Sequence, residues 1–395
     1  YNSILSGPKS HIINASSNMA TTTMSPIERA GAALVEQGLA RVSGRPVSRF
    51  FSEVPADTIG AIQGIQEGVQ QAIYTLRYGI SPLAATKWEF RTQAFHGTTG
   101  RIVNAPTTLL EAADALNRSI NYRAAFNATV VRTAKLERLR GDALMARIAE
   151  LKQSPTEAIM KEANRIAEYR LFRQEAGPWA AALIRGRDAI PPLRFVFPFL
   201  RTPANLIKFG LERSPVGLAN PKLWRNIIAK NPEASDQIAR VFLGSALGAF
   251  FAWKFAEGRI TGAAPTNPAE RDRFYREGKQ PFAVRVGDTW IQYQRLEPLN
   301  QALSQVSAVI AAVQAKDKSA EEKAHQASLT IAQNIVSQTF FMTLSGLINA
   351  MSQPERYAAE FLQRQATSLV PFGSALRTAA QLTDTTIRKP GSLLE

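Results

Sequence analysis

Residues 195–217 read FVFPFLRTPANLIKFGLERSPVG, and the rest of the chain is organised around them. The stretch opens on an apolar run, Phe195-Val196-Phe197-Pro198-Phe199-Leu200. Thr202-Pro203 follows. Thr is a good N-cap, and proline is tolerated in a first helical turn, where its missing N–H has no partner anyway. A helix is predicted from about Pro203 to about Arg213. It stops before Ser214-Pro215, because a residue preceding proline avoids the α region. Leu206, Ile207 and Leu211 fit helical spacing, and the cations Arg201, Lys208 and Arg213 bracket them. An aromatic plug beside a cationic amphipathic helix suits a lipid interface, a partner's groove or a buried hub. The candidate hub or partner-contact residues are therefore Phe195, Phe197, Phe199, Leu200, Arg201, Lys208 and Arg213. The three phenylalanines and Leu200 are expected to be buried, in the protein or at a subunit contact, since so large an exposed patch is rare on a monomer.

On either side the chain reads as mostly helix. Residues 1–24 are polar and small, an extended or partly helical lead-in. Ser25-Pro26-Ile27-Glu28 has the form of a capping box and predicts a helix to about Val42. A helix over 58–79, capped by Asp57 or Thr58, places Ile59, Ile62, Ile65, Val69 and Ile73 at spacings of three and four. Ser81-Pro82 starts a segment to about residue 95, and Gly97 and Gly100 mark a turn. The longest helical stretch is predicted over 106–152, broken near Gly141. Ser154-Pro155-Thr156-Glu157 is a second capping box, with a helix to about Glu175. Gly177-Pro178 stops it. Helices follow over 221–230 and 232–256, and a short one is capped at Asn267-Pro268. The sequence FAVRVGDTWIQYQR, 282–295, is the one convincing strand signal, a hairpin turning at Gly287-Asp288. Helices return over about 299–315, 319–351, 354–367 and 372–383.

The expected fold class is mostly α, an elongated multi-helix assembly with one short β-hairpin near 283–294. Its expected parts are a lead-in segment (1–24), an N-terminal helical region (25–177), a central helical region with the aromatic hub and the hairpin (178–315), a C-terminal helical region (316–384) and a linker (385–395).

Within the helix predicted over 232–256 lies VFLGSALGAFFAW, Val241 to Trp253, with no charged residue. That is shorter than the roughly 20 apolar residues a spanning helix needs. A buried core helix is the preferred reading. A membrane segment is the other, carried by Phe242, Gly244, Gly248, Phe250 and Trp253. Gly244 and Gly248 form a GxxxG, and Trp253 beside Lys254 suits an interface.

The 395 residues are 45% hydrophobic, enough to bury a core, and carry a net charge of +15 with a pI near 10.2. That excess favours polyanions: nucleic acid, anionic lipid or an acidic partner. Cysteine is absent and only His11, His96 and His325 are imidazoles, far apart, so neither a disulfide framework nor a thiolate metal site is expected. No phosphate-binding glycine loop, zinc-protease helix or nucleophile elbow is present. Acidic pairs such as Glu111 and Asp114, or Glu321 and Glu322, read as solvated helix charges, and Glu89 near Trp88 and His96 is the nearest thing to a general acid. No catalytic, cofactor-binding or metal residue is assigned. The chain starts on Tyr1 and ends in mid-pattern, which is expected of a piece of a longer polypeptide.

Three stretches carry a family resemblance: SGPKSHIINASSN at 6–18, PFLRTPANLIKFGLERSP at 198–215, and GRITGAAP at 258–265 followed by VGDTWIQYQRLEPLN at 286–300. In content and order they resemble segments of very large phage-encoded proteins. These are the internal virion or ejection proteins of tailed phages, and the large polyvalent protein regions of phages and prophages. The resemblance implies a non-enzymatic structural segment, packed in the virion interior (capsid or tail lumen) and released with the genome to help build a DNA conduit through the host envelope. It implies as partners other virion proteins (ejection proteins, portal or tail), further copies of the chain, genomic DNA, and the host membrane after release. Any catalytic domain of the parent would lie outside this chain. The rival readings are a basic nucleic-acid-binding module and an enzyme domain, which would need a cleft of perturbed carboxylates.

Overall fold

The computed structural model describes residues 8–79, 97–175, 177–189, 200–262, 264–265, 268–293, 355 and 372–383. The helices are α1 (Pro8–Ser43), α2 (Glu53–Tyr78), α3 (Gly97–Leu136), α4 (Gly141–Gln153), α5 (Glu157–Arg170), α6 (Pro178–Ala189), α7 (Arg201–Glu212), α8 (Pro221–Ile228), α9 (Glu233–Ala256), α10 (Pro268–Arg276) and α11 (Gly373–Thr383). A 3-10 turn, Pro215–Ala219, joins α7 to α8. Among the described residues the one sheet is an antiparallel hairpin of β1 (Ala283–Val286) and β2 (Thr289–Gln292), pairing Val286 with Thr289. The fold is therefore mostly α with one short hairpin. Gly287 at the first central position of its turn has φ +60°, which a type II′ hairpin requires. The helices expected over 82–95, 299–315, 319–351 and most of 354–367 lie outside the described residues.

Several predicted boundaries are corrected. α1 starts at Pro8 and runs straight through Pro26, so Ser25 caps nothing. Its hydroxyl donates instead to Asp57 Oδ2 at 3.3 Å, on the next helix. The described part of the lead-in is helical, and within it Thr21, Thr22 and Thr23 turn their hydroxyls back onto carbonyls three or four residues earlier, at 2.8–3.2 Å. α3 begins at Gly97, so Gly97 and Gly100 make no turn and Pro106 lies inside the helix. The break before Gly141 is as expected, with Arg138 and Gly141 both at positive φ. The cap of α5 is Thr156, not Ser154: its hydroxyl accepts from the Ile159 N–H at 3.4 Å. That helix ends at Arg170, and Pro178 opens α6 rather than only stopping its predecessor. α7 begins two residues early, with Leu200 at the cap position and Thr202 and Pro203 inside its first turn.

The largest correction concerns α2. The predicted apolar stripe faces away from the core. Ile59, Ile62, Ile65, Val69, Ile73 and Leu76 are all exposed, Ile62 by 64%, while Gly60, Gly64 and Gly68 are buried. α2 and α3 run antiparallel, with these glycines against the backbone of Arg123–Ala124, Ser119–Ile120 and Leu116 in turn. A Cβ on Gly64 would lie 2.6 Å from Ile120 Cα and 2.7 Å from the Ser119 carbonyl oxygen. Glycines four apart let two helix backbones touch, the close approach that larger side chains forbid. The periodicity was real; the side it marks is the outer one.

The main core sits between α3, α4 and α5, where Phe126, Val130, Leu151 and Ile159 cluster among Ala125, Ala134 and Ala163. A second cluster joins Phe172 to Leu206 and Phe209 of α7. A third holds the hairpin to the end of α9, with Ile260 and Tyr293 packed by Phe251, Phe255 and Phe282. Tyr293 donates to the Thr261 carbonyl at 2.8 Å, and burial pushes its hydroxyl pKa up.

Gly64→Ala is expected to destabilise the protein by about 1–3 kcal/mol through backbone displacement. Ile62→Gln is expected to change stability by less than about 0.5 kcal/mol. Urea unfolding of both variants checks this; a larger loss from Ile62→Gln would mean that the isoleucines face the core after all.

Candidate interaction surfaces and the charged junction behind them

Along α1, ionisable side chains alternate with alanines on one face, and the neighbouring helices close over them. Three buried clusters result. In the first, Asp57 accepts from Arg29 (2.8 Å) and Arg170 (2.6 Å), and Glu53 from Arg29 (3.0 Å) and Arg132 (2.7 Å), so α1, α2, α3 and α5 meet. Burial alone would raise the Asp57 pKa, but the two guanidinium groups hold it below the usual carboxylate value. In the second, Glu36 of α1 accepts from Arg45, from the Ser48 N–H at 2.8 Å and from the Ser235 hydroxyl of α9 at 2.5 Å. Here too burial opposes ionisation and the donors win, lowering its pKa. Arg49 beside it grips both oxygens of Asp236.

The third cluster fixes α7. Arg213 is buried, donates to both oxygens of Glu28 at 2.6 and 2.8 Å, and lies 3.2 Å over the Phe209 ring. It is thus more than one of three cations bracketing the apolar residues: it is the centre of a junction between α1, α5, α7 and α9. The Tyr169 hydroxyl donates to Glu212 and accepts from Arg213, and burial pushes its pKa up to about 12. Leu206 and Ile207 are buried as the helical spacing predicted; Leu200 and Arg201 are half-buried and Lys208 is exposed. The aromatic run itself, Phe195, Phe197 and Phe199, lies outside the described residues. Asp114, expected to be solvated, is instead half-buried and paired with Arg173, and desolvation outweighs that pairing to raise its pKa.

These clusters dock the first half of α9. Ala234, Ser235, Ala239 and Val241 are buried. Gly244 sits directly against the Arg213 carbonyl, with no room for a Cβ, and Leu243 reaches Gly31 of α1. The first glycine of the GxxxG therefore serves packing within the chain. The second half differs. Trp253 is 56% exposed, Phe250 is nearly half exposed and Gly248 is half-buried, and the bare face already begins in the first half at Phe242, 69% exposed. Phe250 and Trp253 meet edge to face at 6.0 Å, and Lys254 lies 3.7 Å over the Trp253 ring. The buried-core reading of α9 thus fails over its distal half, because Phe251 and Phe255 turn onto the hairpin and leave the other face bare. Among the described residues α9 is the one helix long and apolar enough to cross a membrane, with a mean hydropathy of 1.3 over its best window. Its distal face and the outer face of α2 are the candidate interaction surfaces. No group of three or more His, Asp or Glu side chains converges among the described residues in a way that would hold a metal.

Glu36 and Tyr169 were missed by sequence reasoning, being ordinary polar positions on amphipathic helices, and Asp57 was read only as a candidate cap. The available signal was the run Ser25, Arg29, Ala32, Glu36, Ala40, which puts charge on the small-residue face of α1. Comparison of the chain with protein-family models, curated proteins and solved structures finds no match.

The junction makes stability pH-dependent in a stated direction. Burial would raise the Asp236 pKa, but the charge and hydrogen bonds of Arg49 lower it from 3.8 to about 2. A lowered pKa stabilises above the unfolded value and loses that contribution as pH falls towards the folded one. The thermal midpoint is expected to be level from about pH 7 to 5 and to fall between about pH 4 and 2. Asp236→Asn should lower the midpoint at neutral pH and flatten that acid limb. An unchanged acid limb would exclude Asp236 as a source.

Proposed function

We propose that this chain is a non-enzymatic helical segment of a tailed-phage ejection protein. It packs in the virion interior against copies of itself and other virion proteins, such as ejection partners, portal or tail. It is released with the genome to help build a DNA conduit through the host envelope. One observation carries this reading: α2 exposes its isoleucines over three buried glycines, and α9 exposes Phe242, Phe250 and Trp253 while burying Ala234, Ser235 and Ala239. Patches of that size mark surfaces that another molecule covers. Small-residue packing with large side chains outward is also how helices associate in lipid. The three stretches that resemble ejection proteins, and the excess of basic charge beside a packaged polyanion, support it further.

On this reading the distal half of α9 is covered by protein in the particle and meets the bilayer only after release. Liposome flotation of the full chain tests it. Ala249 is exposed, so Ala249→Arg leaves the fold intact and puts a charge on the apolar face. Wild-type protein is expected to float with anionic vesicles and the variant to stay behind. Equal flotation, or none for either, would remove the membrane step and leave α9 as a protein contact.

The net charge of +15 favours a second reading, a nucleic-acid-binding module. The two separate on salt: six to ten phosphate contacts would cost about 10³–10⁵ in duplex affinity between about 50 and 200 mM salt. A flat anisotropy titration over that range is expected for the structural segment.

A further inference from the structure

A cavity of about 340 Å³ lies inside the junction, walled by α1, α3, α5, α7, α8 and α9. Eight arginine and lysine side chains line it against five glutamates and aspartates. Counting Glu53, Asp57 and Arg49 just behind the wall still leaves an excess of two positive charges.

Which donors are left over is more telling than the count. Four of the five lining carboxylates are taken. Glu28 has both oxygens on Arg213, Asp236 both on Arg49, and Glu162 both on Arg165, while Glu212 accepts from Tyr169. Arg240 has no such arrangement. Its side chain is about three-quarters buried and lies 4.4 Å over the Tyr169 ring, and its nitrogens come no nearer than 3.7 Å to Glu28 and Glu212. Among the described residues it donates no hydrogen bond, although a guanidinium carries five N–H donors. Arg170, almost wholly buried in the same wall, gives one amino group to Asp57 and leaves Nη1 without a partner among the described residues. At the half-exposed rim, Lys208 is 3.9 Å from Glu212, and Lys222 is 3.2 Å from Glu233. A buried charged donor without an acceptor is costly and rare, and Arg170 Nη1, in the same cavity wall as an Arg240 held only by ion pairs at 3.7 Å, leaves room for an acceptor that the chain does not supply.

We propose that this cavity is a binding site for a multiply charged phosphate oxyanion, held by Arg240 with Lys208 and Lys222 at the rim. Three cations from three helices exceed what a single carboxylate ligand would use, and a tetrahedral oxyanion offers acceptors to all of them. The volume suits a small polyphosphate or a terminal phosphate group, and a duplex does not fit within it. The ligand would bridge α7, α8 and α9, so its occupancy would brace the docked half of α9.

The test is isothermal titration of the full chain with pyrophosphate at constant ionic strength, alongside thermal unfolding with and without the ligand. One-to-one binding and a raised thermal midpoint are expected, since a ligand that binds only the folded state stabilises it by mass action. Arg240→Gln should weaken binding at least about tenfold, as expected for loss of a charge-assisted contact. Lys222 is largely exposed, so Lys222→Gln should keep the ligand-free midpoint while weakening binding several-fold. Two oligonucleotides identify the source: binding of a 5′-phosphorylated strand, but not its 5′-hydroxyl counterpart, in competition with pyrophosphate would assign the site to nucleic-acid ends. Pyrophosphate binding with neither strand competing assigns it to a free polyphosphate. No heat and no shift with pyrophosphate, or equal binding by wild type and both variants, would overturn the proposal.

Discussion

A carboxylate removed from water must find positive partners or give up its charge. Asp57 satisfies that condition between Arg29 and Arg170, and Glu53 between Arg29 and Arg132. The five side chains come from four helices, so none of those helices can shift register without stranding a buried charge. Removing one partner from such a pair typically costs about 3–5 kcal/mol, although the intact pair need not outdo well-packed apolar residues. The network is better understood as a lock on arrangement than as a source of net stability. Glu36 extends it to α9 and Arg213 to α7, which is why α1 has neighbours along so much of its length.

With register held by charge, the helices pack through their smallest residues. Ala32, Ala33, Ala40, Ala112, Ala115, Ala124, Ala128 and Ala134 are all nearly or fully buried, and α2 adds its three glycines. Cores of this kind bring backbones close and gain dispersion from backbone atoms rather than from long side chains. On α2 and on the distal half of α9 this leaves several larger apolar residues outside, where the two faces offer them to other molecules. The same sorting of residues by size thus builds the interior and the candidate contact surfaces.

Much of the local structure was legible in the sequence. The hairpin at Gly287-Asp288 has both alternation and turn chemistry, two signals that agree, and α8 forms within the helix predicted over 221–230. Helix existence was legible wherever apolar residues recur at three and four. Helix orientation was not: periodicity places Ile62, Ile65 and Val69 on one face but cannot say that the opposite face, with Gly60 and Gly64, binds more closely. The capping box misled at Ser25 because the helix already runs from Pro8, so there is no helix start for its hydroxyl to cap and it donates to Asp57 instead. Likewise Arg213 looked like a helix-end cation, since its partner Glu28 lies on a helix 185 residues away. Long-range pairing between charges leaves no periodic trace, so the junction and its cavity emerge only once the chain is folded.

The glycine slots of α2 also have a mechanical consequence. Each slot seats one turn of α3, so sliding one helix along the other is blocked until it clears a whole turn, about 5.4 Å. Side chains at an ordinary helix interface can tilt and share out a displacement, whereas backbone against backbone has no such compliance. A pull along the chain would leave this pair rigid up to a threshold and then release it in one step, as a catch does rather than a spring.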